Sequence, residues 1–100
     1  MIITRKDVWK HTKHGSPWND TLLWYAKAVG EMQKRPLTDR TSWRYLAAMH
    51  GFEPSLWRAQ GYLKAGEKLP PRSEQDRYWQ QCQHQSWYFL PWHRAYLRSF

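Results

Sequence analysis

The chain has 100 residues, enough for one domain at most, so a large two-domain enzyme is excluded. Sixteen Lys and Arg against eight Asp and Glu give a net charge of +8, while 41% hydrophobic residues, with eight Trp, six Tyr and three Phe, supply a packed core and exclude a disordered tail. The one cysteine, Cys82, cannot close an intrachain disulfide, which excludes a disulfide scaffold and a Cys-rich zinc module.

In chain order, the start Met1-Ile2-Ile3-Thr4-Arg5-Lys6-Asp7 lacks the apolar stretch and small-residue cleavage site of a secretory signal, and no later apolar run is long enough to span a bilayer. The expected location is cytoplasmic, with no membrane association. His11 and His14 follow among Lys10, Lys13 and Gly15 and are read as solvated. After Ser16-Pro17-Trp18, Asn19 or Asp20 is a good N-cap, and Leu22, Leu23, Ala26, Val29 and Met32 or Gln33 recur at spacings of three and four until Pro36. That pattern predicts a helix from about Asp20 to Arg35. A second helix begins near Asp39 to Ser42 and runs through Trp43, Leu46, Ala47 and His50 to a stop at Gly51. Separations of three, four and seven put His50 on the face of Trp43, Leu46 and Ala47, which is expected to point inward.

From Glu53 to about Arg77, Pro54, Gly61, Gly66, Pro70 and Pro71 break the pattern, and a long surface loop is expected, with a turn or two of helix between Ser55 and Tyr62. Regularity returns at Tyr78 and Trp79. Pro91 suits the first position of a last helix, whose stripe is Trp92, His93, Tyr96, Leu97 and Phe100. No stop signal follows, so the helix is expected to be continued or covered by further polypeptide.

A basic, aromatic-rich small protein is also what a nucleic-acid binder looks like. Beyond the scatter Arg5, Lys6, Lys10 and Lys13, however, the basic residues stand singly or in pairs, with no block of five or six. Nucleic-acid binding is therefore the remoter reading, and no nucleic-acid partner is expected. The surplus of Trp points instead to a large apolar surface covered by another chain.

Three of the five histidines, His50, His84 and His93, lie in apolar, aromatic surroundings on separate elements. A lone histidine of this kind is ordinarily a hydrogen-bonded core residue. Three without a compensating carboxylate suggest an all-nitrogen metal site, since neutral imidazoles bind copper or zinc well and are costly to bury unsatisfied. Three imidazoles leave one face of the ion open, as a catalytic or oxygen-binding centre requires. Cys82, two residues before His84, reads on its own as a small buried hydrophobe, although in an extended loop its sulfur lies on the same side as that ring.

The string Cys82-x-His84, followed nine residues later by the histidine of Phe89-Leu90-Pro91-Trp92-His93-Arg94, resembles the first copper-binding region of the tyrosinase, catechol oxidase and hemocyanin superfamily of type 3 copper proteins. The stretch from Asp39 to Gly51 is similar to the helix bearing that region's first ligand, although the 33-residue loop from Gly51 to Gln83 is longer than the family's pattern. The resemblance implies an all-α fold: the N-terminal half of a tyrosinase-like helical bundle around a dicopper centre, with long loops. Residues 1–100 would form a partial copper domain with the A-copper half only. It implies that His50, His84 and His93 ligate one Cu ion, that Phe89 packs beneath it with Trp92 and Arg94 alongside, and that Cys82 and His84 carry the thioether found in relatives with Cys-x-His.

A complete site of this superfamily holds two copper ions on six histidines, and nothing here matches the second set. The expected partner is thus a complementary chain carrying the B-copper histidines; a second copy of this chain or a degenerate single-copper protein are the other arrangements. The activity implied is oxidation of phenols or catechols to ortho-quinones with O2, with hemocyanin-like O2 binding or non-catalytic single-copper binding as alternatives.

Overall fold

A computed structural model describes Asp7 and residues 20–99, which form five helices and, among the described residues, no strand. Two compact units divide the chain at Lys34 and Arg35. In the first, α1 (Asp20–Lys34) carries Asp20 in its first turn and Lys34 in its last, the charge order that suits the helix dipole. It stops one residue short of the expected end because Arg35 precedes Pro36, and a residue before proline is driven out of the helical region. Leu23, Trp24 and Tyr25 on it are exposed, and no residue of this helix is buried.

The core belongs to the second unit: Leu37, Tyr45, Ala48, Phe52, Leu63 and Trp79, with Met49, Trp57, Leu69 and Tyr78 packed around it. Its spine is α2 (Trp43–His50), opened by buried Ser42, whose hydroxyl accepts from the Tyr45 N–H at 3.1 Å. Tyr45 and Ala48 are the buried residues of α2, and Phe52 continues their line. The inward face is therefore 45/48/52, not the expected face of Trp43, Leu46, Ala47 and His50. The first three of those are half-buried and His50 is exposed.

The segment expected to be a loop holds two short helices. In α3 (Pro54–Ala59), Pro54 occupies the first turn and the Glu53 carboxylate caps the Ser55 N–H. A Schellman turn ends it: the Gly61 N–H reaches the Arg58 carbonyl and the Tyr62 N–H the Trp57 carbonyl, with Gly61 at φ +77 in the left-handed region that glycine tolerates. That turn delivers Leu63 to the core.

α4 (Arg72–Tyr78) starts directly after the Pro70-Pro71 pair that looked like an interruption. Its first six residues are polar or charged and none of the seven is buried, so no apolar period announced it, although Tyr78 at its end packs against the core. It is held through Glu74, which accepts from the Tyr45 hydroxyl at 2.8 Å and from Arg40 Nε at 2.8 Å, and it hands the chain to buried Trp79. The last helix, α5 (Phe89–Ser99), begins two residues before Pro91, which sits within the first turn, where a backbone N–H has no intrahelical partner. No described helix is long and apolar enough to cross a membrane.

Candidate metal centre

α2 ends at His50, and the way it ends builds the site. Its last carbonyls need donors from elsewhere, and two come from the chain just past Trp79: Gln80 N–H to Ala48 O at 3.0 Å and Gln81 N–H to Met49 O at 3.0 Å. This clasp lays the irregular segment 81–84 across the end of α2. The segment is flanked by Gln80 at φ +55 and Gln85 at φ +54, left-handed conformations that cost a non-glycine residue on the order of 1 kcal/mol each. Trp79, 2% exposed against Tyr45 and Phe52, anchors one side of the clasp and offsets that strain.

The third wall is α5. Tyr96 donates its hydroxyl to the Leu46 carbonyl at 2.7 Å, fastening α5 along α2, and Trp92 stacks on Tyr96 with ring centroids 5.1 Å apart. One helical turn before Tyr96, His93 comes to face His50.

The outcome is a cluster of His50, Cys82, His84 and His93 in which one ligand atom from each residue lies within 4.8 Å of every other. The three imidazole centroids stand 5.4 to 5.8 Å apart, with the rings steeply inclined to one another. His93 Nδ1 lies 2.6 Å from the Phe89 carbonyl oxygen. A carbonyl can only accept, so Nδ1 carries the proton and the lone pair of the neutral ring is on Nε2, the nitrogen turned to the cluster. The Cys82 sulfur lies 3.2 Å from Nε2 of His50 and 3.2 Å from Nε2 of His93. Burial pushes the Cys82 thiol up, and it pushes the Tyr96 phenol up as well, with the nearby Cys82 adding to the effect.

The expected ligands His50, His84 and His93 are thus brought together. Phe89 packs on two of them, 4.3 Å from the His93 ring and 5.4 Å from that of His84, and contributes its carbonyl besides. Trp92 lies 4.9 Å from His93 and 6.1 Å from His50, and Arg94 follows His93 as an exposed residue. Cys82 joins the same cluster as His84. His11, His14 and the basic scatter at Arg5, Lys6, Lys10 and Lys13 lie outside the described residues. Two contributions had no signal in the sequence reading. One is the Tyr96 hydroxyl, visible there only as part of a stripe; the other is the backbone clasp at Gln80 and Gln81, which involves no side chain.

The donor set suits a copper ion: three imidazoles, one tautomer fixed by a backbone carbonyl, a sulfur between two of them, and no carboxylate in the group. Comparison with known proteins leads the same way. Residues 40–100 match the family described as the common central domain of tyrosinase. Tyrosinase HcTyr1 of Hahella sp. (strain CCB-MM4) is 45% identical over 86 residues, which cover 82% of this chain and 18% of that relative. The chain belongs to the tyrosinase family, a family of copper oxidoreductases, and what it contains is the copper-A region. It spans less than a fifth of that relative's length.

Proposed function

We propose that this chain supplies the three imidazoles of one copper of a coupled dicopper centre that oxidises phenols or catechols to ortho-quinones with O2. The second trio of histidines comes from polypeptide outside residues 1–100. Convergence of His50, His84 and His93 from three separate segments on one point carries the proposal. When bound, copper supplies the redox chemistry with O2.

The chain's own residues hold and orient. The Phe89 carbonyl fixes the tautomer of His93 and so the direction of its lone pair. The Phe89 and Trp92 rings restrict how the imidazoles can turn, which lowers the entropy lost on assembling the site. The Gln80 and Gln81 clasp sets the distance between His50 and the segment bearing His84. Excluding water is the task the described residues leave undone: His50 and His84 are exposed, and Trp87, Tyr88 and Leu90, which follow His84 in the chain, present a further apolar surface. A second polypeptide packing there would close the pocket and bring its own histidines opposite.

Elemental analysis and oxygen uptake test the proposal. The completed assembly should hold two copper ions per copy of this chain and consume O2 with a catechol, whereas His84→Ala and His93→Ala should each abolish uptake and reduce copper to one ion or none. Full copper content and undiminished turnover in both variants would refute the assignment.

A further inference from the structure

The three imidazoles are not held alike. His50 ends α2 and His93 sits on α5, so helical backbone places both, and the Phe89 carbonyl fixes the His93 ring besides. His84 has neither support. It lies exposed on the irregular segment between Gln80 and Gln85, and its ring makes no hydrogen bond among the described residues. The backbone clasp ends at the Gln81 N–H, and beyond it residues 82–85 form no backbone-to-backbone hydrogen bond among the described residues. The place of His84 must be set by something else.

Side-chain amides of the same segment supply it. Gln81 Nε2 donates to the Trp79 carbonyl at 2.8 Å and so spans Gln80, the residue at φ +55. Gln83 Nε2 donates to the Gln81 carbonyl at 3.4 Å and spans Cys82 in the same way. A left-handed bend crowds the Cβ of a non-glycine residue, so the chain gains by giving it up. A hydrogen bond joining the residues on either side of the bend resists that release. If Gln80 relaxed to negative φ, the chain downstream would turn with it and carry His84 away from His50 and His93. The run Gln80-Gln81-Cys82-Gln83-His84-Gln85 thus contains, around its histidine, the donors that brace its own backbone.

We propose that Gln81 is a positioning residue for His84: its amide keeps the left-handed bend at Gln80, and with it the place of the imidazole, while Gln83 adds a weaker brace of the same kind. Gln81 acts through the backbone and not as a donor to the ion. The consequence for metal rests on the copper assignment of the preceding subsection, since a displaced His84 leaves two imidazoles to hold the ion. The geometric part concerns the metal-free chain and stands without it. Gln75 offers a comparison, because its Nε2 donates to the Pro70 carbonyl at 2.7 Å in the same unit, yet it belongs to α4 and braces no part of the segment.

The test uses the whole chain. Cu(I) is titrated anaerobically against a coloured chelator, and nuclear Overhauser contacts are followed without metal between the His84 and Phe89 rings, whose centroids stand 5.4 Å apart. Groups that hold a ligand in place are worth about 10–100-fold in metal affinity, so Gln81→Met should bind Cu(I) at least about tenfold more weakly and lose those ring contacts. Gln83→Met should lose less, its bond being longer. Gln80→Gly added to Gln81→Met should recover most of the affinity, because glycine holds positive φ without the Cβ cost. Gln75→Met should lower Tm as much as Gln81→Met but keep wild-type affinity and ring contacts. Wild-type ring contacts in Gln81→Met, a loss shared by Gln75→Met, or a loss that Gln80→Gly leaves uncorrected would each overturn the proposal, as would undiminished affinity in Gln81→Met while His84→Ala binds weakly. If His84→Ala binds Cu(I) as tightly as wild type, the copper assignment itself has failed, and the ring contacts alone decide whether Gln81 positions His84.

Discussion

α2 has two sides, and the chain treats them differently. On one, Tyr45 and Ala48, with Phe52 beyond them, are sealed by Leu37, Leu63 and Trp79, all less than 10% exposed. On the other, Leu46 and His50 meet α5 and the 81–84 segment, yet His50 and His84 stay exposed and only Cys82 and His93 are half-buried. The first side is ordinary hydrophobic closure, completed within residues 35–100. The second is a precise arrangement of donors whose outer wall is not supplied by the described residues of the same unit. Rigidity at the open side is thus borrowed from the closed one, through Trp79 and the two hydrogen bonds that follow it to Ala48 and Met49.

Trp79→Ala should break both sides together and is expected to have the largest effect. Truncating a fully packed Trp costs about 3–5 kcal/mol, a large share of the stability of a small unit. Here it also loosens the start of the clasp. Denaturant unfolding should show that loss, and copper binding should fall with it. If Trp79→Ala lost stability but bound copper as tightly as wild type, the two sides would be independent and the clasp irrelevant.

A smaller effect is expected from acid, and it bears on the closed side. Hydrogen bonds from Arg44 hold the Glu67 carboxyl below its ordinary value of 4.5, and those from Arg40 and then Tyr45 do the same for Glu74. A depressed folded-state pKa contributes stability that is fully present above the unfolded value and lost as pH falls through the folded one. Stability should therefore decline below about pH 4.5. At the other end, burial and then the Glu74 hydrogen bond raise the Tyr45 phenol from 10.0 to about 12, so the contribution of this group is full below pH 10 and lost as pH rises through that interval. Arg44 links α2 to the 62–67 turn through the Tyr62 carbonyl and both oxygens of Glu67. Arg44→Gln should lower stability at neutral pH and flatten the acid decline, as followed by Trp fluorescence in denaturant at stepped pH. An unchanged acid limb would place the decline elsewhere.

The sequence carried these two sides unequally. α1 and α2 were legible because caps and apolar spacing agree, and α5 because proline tolerates only its first turn. The face of α2 was misread: Trp43, Leu46, Ala47 and His50 form as good a stripe as Tyr45, Ala48 and Phe52, and only Leu63 and Trp79, far along the chain, decide between them. α4 was invisible since only its last residue, Tyr78, packs against the core, and the tie from its middle to α2 is one carboxylate, Glu74. Gly51, read as a helix stop, has extended backbone at φ −168 that any residue adopts, and it stops the helix without needing to be glycine. The three ligands were legible through residue type and motif resemblance. The position of the Cys82 sulfur between His50 and His93 was not, because it follows from the Gln80–Ala48 and Gln81–Met49 backbone bonds, to which side-chain patterns are blind.

The narrowest change separating the two sides is Tyr96→Phe. It keeps the ring, and with it the stacking on Trp92 and the packing near His50, and deletes only the hydroxyl that donates to Leu46. That carbonyl lies inside α2, where its helical N–H partner remains, so the acceptor is not left bare and the cost should be that of one hydrogen bond, about 0.5–1.5 kcal/mol. For a unit of this size, each kcal/mol corresponds to roughly 4–8 °C in Tm. The closed core contains no atom of Tyr96, so cooperativity of unfolding should persist while α5 becomes less firmly registered against α2. Since His93 lies one turn from Tyr96, copper should dissociate faster in Tyr96→Phe, by a smaller factor than in any ligand variant. An unaltered dissociation rate alongside the expected Tm shift would mean that the Phe89 carbonyl and the Phe89 and Trp92 rings hold His93 without help from the α5–α2 bond.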